Sequence, residues 1–229
     1  YSADKGGNEI NHIYLMNEDG KISDLTPGEN EKASFAGWSK DKKSMYYISN
    51  KRNPKFFDFY KMKVDTWKSE MLYQNDNGIN ISDMSEDESW FSFSQTITTS
   101  ENKLFLTNRI DKSTIELSVE PGSYSSSGFS NDNKYFFFIT DVGEEFSYLV
   151  KYEIETGKEE VLFQTNWDVM YSYLSESEKY RVTAVNEDGK NTLFIKNLVN
   201  NSDVFFPAIP DGDIKGVRIS KSEKKIRLT

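Results

Sequence analysis

Five serines, Ser39, Ser85, Ser130, Ser175 and Ser220, open the same phrase, a short polar knot followed by an aromatic, β-branched run. The phrase reads "WSKDKKSMYYIS", "MSEDESWFSFS", "FSNDNKYFFFIT", "LSESEKYRVTAV" and "ISKSEKKIRLT". The serines stand 46, 45, 45 and 45 residues apart. Between the knots, apolar residues come in short runs bounded by Gly, Asn, Asp and Ser, without the i, i+3, i+4 recurrence of a helical repeat. A chain with this period folds as a series of like modules, and the modules are β.

Each module divides into four strands. In the second, "GINISDM" (78–84) is a first strand, "SWFSFS" (89–94) a second, "KLFLTNR" (103–109) a third and "TIELSV" (114–119) a fourth. Tight-turn signals fall at one phase between third and fourth strands: Asp19-Gly20, Asp65-Thr66, Asp111-Lys112, Thr156-Gly157 and Asn200-Asn201. Second strands such as "YFFFIT" (135–140) are apolar at successive positions, which suits a strand pressed between two layers. A β-rich period of this length indicates propeller blades. The expected fold is an all-β propeller of five four-stranded blades in one domain, 1–229. The segment "YSADKGGNEINHIY" (1–14) superposes on "YISNKRNPKFFDFY" (47–60), and Leu228 shares the phase of Tyr1 and Tyr47. The two ends are therefore expected to complete one blade and close the ring, the alternative being an open arc of a larger propeller.

Composition narrows the chemistry. Apolar residues make up only 36% of the 229, yet aromatics reach 14%, so a few large side chains must fill thin, repeated layers. A net charge of −9 argues against a nucleic-acid footprint, which needs clustered Lys and Arg. The absence of Cys excludes thiolate metal sites and leaves the compartment open between cytoplasm and periplasm or exterior. No apolar stretch approaches the ~20 residues that span a bilayer, so no membrane insertion is expected. Nothing calls for a cofactor.

The knot reads as the turn between first and second strands, its Ser and Asp oxygens accepting local N–H groups. Asp41, Asp87 and Asp132 hold its centre, with Ser177 and Ser222 in the last two modules. A Gly is expected one step later, but Lys42, Glu88, Asn133, Glu178 and Glu223 stand there. A left-handed conformation at that step costs a residue other than Gly or Asn on the order of 1 kcal/mol. A different turn type is therefore the expectation.

Catalytic patterns are scarce. A serine nucleophile needs a base, and the single histidine is His12. "GWSKD" (37–41) and "GFSND" (128–132) lack the second Gly of a nucleophile elbow and coincide with the repeated turn. "NEDG" (17–20, 186–189) and "NDNG" (75–78) do not extend to a calcium loop and read as turns, so no metal site is expected. Asp83 and Asp168 lie on first strands, nearest the axis. As pore carboxylates they are the formal pair for a glycosidase, which needs two acids. The loops between second and third strands vary most and offer Lys51 and Arg52 for a carboxylate or a neighbouring domain. Glu144 and Glu145 are offered for a basic group or free amine. Phe56, Phe57 and Phe146 read as loop anchors, and "SYSSSG" (123–128) as a first strand made small for a crowded axis.

Several longer phrases resemble a known family. "GGNEINHIYLMNEDGKISDLTPG", "GWSKDKKSMYYISNKRNPKFFDFYKM", "FSNDNKYFFFITDVGEEFSYLVKYEIETG" and "WDVMYSYLSESEKYRVTAVNEDG" are similar to the propeller domain of prolyl-oligopeptidase-type serine peptidases. The likeness covers essentially the whole chain, and TolB-like propellers share its Ser-Asp turn. It implies a non-catalytic cap that gates access or docks a peptide, over a separate α/β-hydrolase domain carrying the catalytic Ser, Asp and His. Family members usually have seven or eight blades, and five repeats are visible here. The alternative is a freestanding TolB-like scaffold for a peptide or protein partner. The pore-centred glycosidase is the remote third.

Overall fold

The computed structural model describes residues 1–205 and 213–229, and among these every regular element is a strand. They form two compact units, Tyr1–Ile81 and Ser82–Thr229, the division falling inside a first strand. The reading of 1–229 as one domain stays a proposal.

In the first unit, β1 (Ser2–Ala3), β2 (His12–Met16) and β3 (Ile22–Asp24) form a three-stranded antiparallel sheet. It is followed by the blade β4 (Ala33–Trp38), β5 (Ser44–Asn53), β6 (Phe56–Lys63) and β7 (Ser69–Tyr73), paired in that order. The next blade comprises β8 (Asn80–Met84), β9 (Trp90–Thr96), β10 (Asn102–Asn108) and β11 (Thr114–Glu116). Then come β12 (Tyr124–Phe129), β13 (Tyr135–Thr140), β14 (Tyr148–Glu153) and β15 (Glu159–Phe163). The third blade of the second unit is β16 (Asp168–Leu174), β17 (Tyr180–Glu187), β18 (Lys190–Asn197) and β19 (Ser202–Asp203). A two-stranded sheet, β20 (Val217–Ile219) and β21 (Ile226–Leu228), ends the chain. These repeated antiparallel meanders are the architecture of a β-propeller. The terminal strands lie in two separate sheets, β1–β2–β3 and β20–β21. Completion of one blade by both ends is thus a proposal still, as is the count of five blades.

The knots are turns, as their composition predicts, and all five close in the same way. The serine N–H bonds the carbonyl five residues on, as in Ser85 to Trp90 (2.9 Å), and the residue three on returns a bond to the serine carbonyl, as in Glu88 to Ser85 (3.0 Å). The Ser39, Ser85 and Ser130 hydroxyls each donate to the turn Asp at 2.7 Å and accept the N–H that begins the second strand. Hydrogen bonds from the Lys43 N–H and the Ser39 hydroxyl hold the Asp41 carboxyl below its ordinary range.

The expectation of another turn type is corrected. Lys42, Glu88, Asn133, Glu178 and Glu223 are all left-handed, with φ between 55° and 61°. Two of the glutamates reveal what offsets the strain. Glu178 accepts the N–H of Asn131 in the preceding knot. Glu223 accepts the N–H and hydroxyl of Ser177 at 2.8 and 2.7 Å. A hydrogen bond from the Ser175 side chain, with those from Ser177, holds the Glu223 carboxyl below its usual value. A Gly would relax the backbone and lose the clasp between blades.

The core lies between blades. On β13, Phe136 and Phe138 face Leu104, Leu106 and Leu117 of the preceding blade. Phe137 and Ile139 face Val169 and Val185 of the next. Val182 of β17 meets Val217 of β20, and in the first unit Ile13 of β2 packs with Met45 and Tyr47 of β5. Successive side chains of a second strand thus feed two cores, which accounts for "YFFFIT" lacking alternation. Small residues serve the first strands: the Ser127 hydroxyl donates to the Ser172 carbonyl at 2.6 Å, 45 residues away.

The left-handed turn is testable at Lys42, an exposed residue. Lys42→Gly is expected to raise stability by about 0.5–1 kcal/mol in urea unfolding. Ser85→Ala is expected to lower it by about 1–2 kcal/mol, because the buried turn loses its hydroxyl and the Trp90 N–H its acceptor. A neutral or destabilising Lys42→Gly would contradict the assigned turn geometry.

Candidate functional site

The rim where second strands turn into third strands is built from polar latches. At the head of each third strand, one polar residue grips the segment leading to the next blade. Asp58 accepts the Asn75 N–H at 2.8 Å. Asn102 accepts the Tyr124 N–H at 2.8 Å and donates to its carbonyl at 2.7 Å. The Ser147 N–H and hydroxyl bond Asp168 at 2.9 and 3.2 Å, and Asn191 makes the same grip on Asp213. In the first sheet His12 takes this phase and bonds Asp24 at 2.7 Å. These latches escaped the sequence reading. Their signal was present, as a polar residue at one phase of every repeat: "HIYL", "DFYK", "NKLF", "SYLV", "NTLF".

Four of the six residues singled out from sequence are engaged within the fold. Arg52 clamps Asp58 through Nε (2.7 Å) and Nη2 (2.8 Å), donates to the Asn75 carbonyl (2.8 Å) and lies 3.0 Å from Asp76. Burial would push the Asp58 carboxyl up, but Arg52 and the Asn75 N–H hold it below its ordinary value, and the pair pushes the Arg52 guanidinium higher still. Lys51 sits with Nζ 3.9 Å from the Tyr60 ring centroid and 3.0 Å from the Tyr47 hydroxyl. Asp168 is the exposed latch partner of Ser147, at the outer end of its strand.

Asp83 is partly buried beside the next blade's first strand, and a Cβ added at Gly128 would lie 3.4 Å from its Oδ2. That is ordinary contact, and what favours Gly at 128 is its φ of 94°. Burial pushes the Asp83 carboxyl above its ordinary value, against the pull of the Met84 N–H and the Ser126 hydroxyl. Asp83 and Asp168 differ by five positions in repeat phase, on the order of 16 Å along a strand. Their reading as the two flanking acids of a glycosidase stays a proposal.

Glu144 and Glu145 are the remaining pair. Both are exposed on the β13–β14 loop, held by the Glu144 N–H bond to the Asp141 carbonyl (3.1 Å). With Phe146, Gln164, Thr165 and Asn166 they line a hollow of about 630 Å³. Phe146 stands 6.2 Å from the ring of Trp167, itself 40% exposed, so an acidic pair borders an aromatic one. A Cβ added at Gly78 would lie 3.6 Å from the Phe56 ring, and Phe57 is 37% exposed.

His12 is buried, and among the described residues its second ring nitrogen has no hydrogen-bond partner. Ser39 and Ser130, of the elbow-like strings, spend their hydroxyls within their own turns. The "NEDG" and "NDNG" strings close turns through Asn17, Asn186 and Asn75.

Removing the Asp58 carboxylate should leave the partly buried Arg52 with only the exposed Asp76 carboxylate and the Asn75 carbonyl as partners. Asp58→Asn is expected to cost about 3 kcal/mol, at the low end for a broken buried pair because Arg52 keeps some solvent. Because the folded Asp58 pKa is depressed, its contribution is complete above the unfolded value near 4 and is lost as pH falls through the lower folded value. The stability difference between parent and Asp58→Asn should therefore shrink on acidification, measured as denaturant midpoints from pH 7 to pH 3. A constant difference would contradict the ionised clamp.

The model of the family "Prolyl oligopeptidase, N-terminal beta-propeller domain" matches residues 1–228. No curated protein matches the chain. Among solved structures, one of two prolyl endopeptidases, described for the role of inter-domain dynamics in catalysis and specificity, superposes with a TM-score of 0.67 at 14% identity. That match covers 100% of this chain and 39% of the other. Prolyl oligopeptidase B from Galerina marginata, bound to a 35mer hydrolysis and macrocyclization substrate, gives 0.65 at 14% identity, covering 97% and 35%. TolB from Acinetobacter baumannii gives 0.61 at 15% identity, covering 84% and 48%. The chain thus spans about half of that TolB and little more than a third of the peptidases. At such identities the superpositions speak for fold alone. The repeat, the meander sheets and the family match converge: the chain belongs to the prolyl oligopeptidase N-terminal β-propeller family.

Proposed function

We propose that the chain is a non-catalytic propeller that docks peptides, or gates their approach, for a hydrolase domain supplied separately. The observation that carries this reading is the acidic rim at Glu144 and Glu145. Lys51, Arg52, Asp83 and Asp168 have their side chains committed to neighbours, whereas these two carboxylates project over an open hollow beside Phe146 and Trp167. Two carboxylates with an adjoining aromatic pair suit a free amino terminus followed by an apolar side chain. Docking there would orient a chain end without touching the bond to be cut. The Galerina marginata enzyme is bound to a 35mer substrate, which supports a role for this chain with extended peptides.

Trp167 serves as a reporter. A short peptide with a free amino terminus and an apolar second residue should change the Trp167 emission saturably. Its acetylated twin should bind at least tenfold more weakly. Glu144→Gln with Glu145→Gln should abolish the difference between the two, and Trp167→Phe should remove the signal. Equal binding of both peptides to the parent protein would overturn the amine-docking role and favour a freestanding partner scaffold.

A further inference from the structure

In the repeat, the residue six after each knot serine is Met45, Phe91, Phe136, Arg181 and Ile226. The residue eight after is Tyr47, Phe93, Phe138, Thr183 and Leu228. Met45, Tyr47, Phe91, Phe93, Phe136 and Phe138 are all buried large apolar side chains. In the blade of β16–β19 alone, the pair is a cation and a small hydroxyl. Arg181 and Thr183 share the face of β17 that carries Val185 toward the preceding blade, where Phe137 and Val185 lie in one core.

The exchange leaves room. A cavity of about 570 Å³ opens between the two blades, lined on one side by Arg181, Thr183 and Phe194, and on the other by Phe137, Lys151 and Phe163. That volume falls within the range of small-molecule sites. The Phe163 and Phe194 rings, one from each blade, stand 5.0 Å apart. Arg181 is 7% exposed, and its guanidinium carbon lies 4.1 Å above the Phe137 ring.

What sets Arg181 apart is the lack of a counter-ion among the described residues. Its sole protein acceptor among the described residues is the Ser172 hydroxyl, 3.4 Å from Nη1, although a guanidinium offers five N–H donors. The other cations of the cavity are paired, Lys151 with Glu160 at 2.5 Å and Lys196 with Asp203 at 3.5 Å. Burial pushes the Arg181 pKa down to about 10, opposed by the field of Glu178, so the group is charged at neutral pH. Buried charges are ordinarily paired, because an unpaired one carries a full desolvation cost. An apolar row interrupted by a buried cation that faces a cavity, with no carboxylate partner among the described residues, has the chemistry to receive an anion.

We propose that this inter-blade cavity binds a carboxylate borne on an apolar body, the carboxylate taking the free N–H fork of Arg181 and the body lying among Phe137, Phe163 and Phe194. Planar, bidentate recognition of a carboxylate is what a guanidinium does best. Two sources present this chemistry, a free aryl or alkyl acid and the carboxyl terminus of a peptide ending in an apolar residue. The inference is independent of the acidic rim, which lies on other loops.

The test is calorimetric titration with 3-phenylpropionate, its isosteres 3-phenylpropan-1-ol and 3-phenylpropylamine, and N-acetylphenylalanine. The acid should bind saturably, and the alcohol and amine at least tenfold more weakly. Tighter binding of N-acetylphenylalanine than of phenylpropionate would assign the peptide end, and the reverse order a free acid. Arg181→Met should weaken the acid at least tenfold without lowering the melting temperature of the unliganded protein, whereas a merely structural arginine would lower it. Should that variant not fold, Thr183→Phe restores the side chain of two other blades, keeps Arg181 and should occlude the cavity with equal loss of binding. Failure of the acid to bind in preference to its alcohol, or unchanged affinity in the variant that folds, would overturn the proposal.

Discussion

Each module depends on its second strand being buried on both faces. A four-stranded meander of this length has no interior of its own, and its large side chains are covered only when a neighbouring blade is present. Strand β13 makes the constraint explicit, sending Phe136 and Phe138 into one core and Phe137 and Ile139 into another. A fully buried Phe stabilises by roughly 1.5–3 kcal/mol relative to exposure, and this strand contributes three of them between neighbours. Stability therefore resides in interfaces between modules. The polar devices at the two rims, Glu178 and Glu223 at the knots and the latches at the third strands, bond one blade to the next and set how neighbours meet.

Much of this was legible in the sequence because the period is nearly invariant. The serine spacing predicts where strands begin, and the β-rich runs fall where β9, β13 and β17 form. The turn type was misjudged for a physical reason. Left-handed Lys and Glu look unfavourable locally, and for Glu178 and Glu223 the compensation comes from carboxylates that reach knots 47 and 46 residues away. The sequence offers Arg52 to a carboxylate or a neighbouring domain, and linear order does not display the acid it meets within its own blade. Yet β5 and β6 fold back on each other with Ser49 opposite Asp58, and that return brings the acid under the guanidinium. Asp168 lies on a first strand, as expected, and as that strand's first residue it is the latch partner of Ser147.

The two sites offered for ligands arise from departures. Glu144 and Glu145 extend a loop past what pairing of β13 with β14 requires. Arg181 and Thr183 break an apolar row that Met45, Tyr47, Phe91, Phe93, Phe136 and Phe138 maintain elsewhere. In a chain built by repetition, a position that fails to repeat carries information that composition conceals. That comparison needs only the phase of the serines.

Double-mutant cycles on β13 test the governing constraint most directly. Phe137→Ala combined with Val185→Ala, and Phe136→Ala combined with Leu106→Ala, should each show a coupling of about 0.5–3 kcal/mol in unfolding free energy. The crossed pair, Phe137→Ala with Leu106→Ala, should be additive. Coupling confined to the crossed pair, or none in either cycle, would mean that adjacent side chains of the strand do not serve separate inter-blade cores, and the account of the fold would fail.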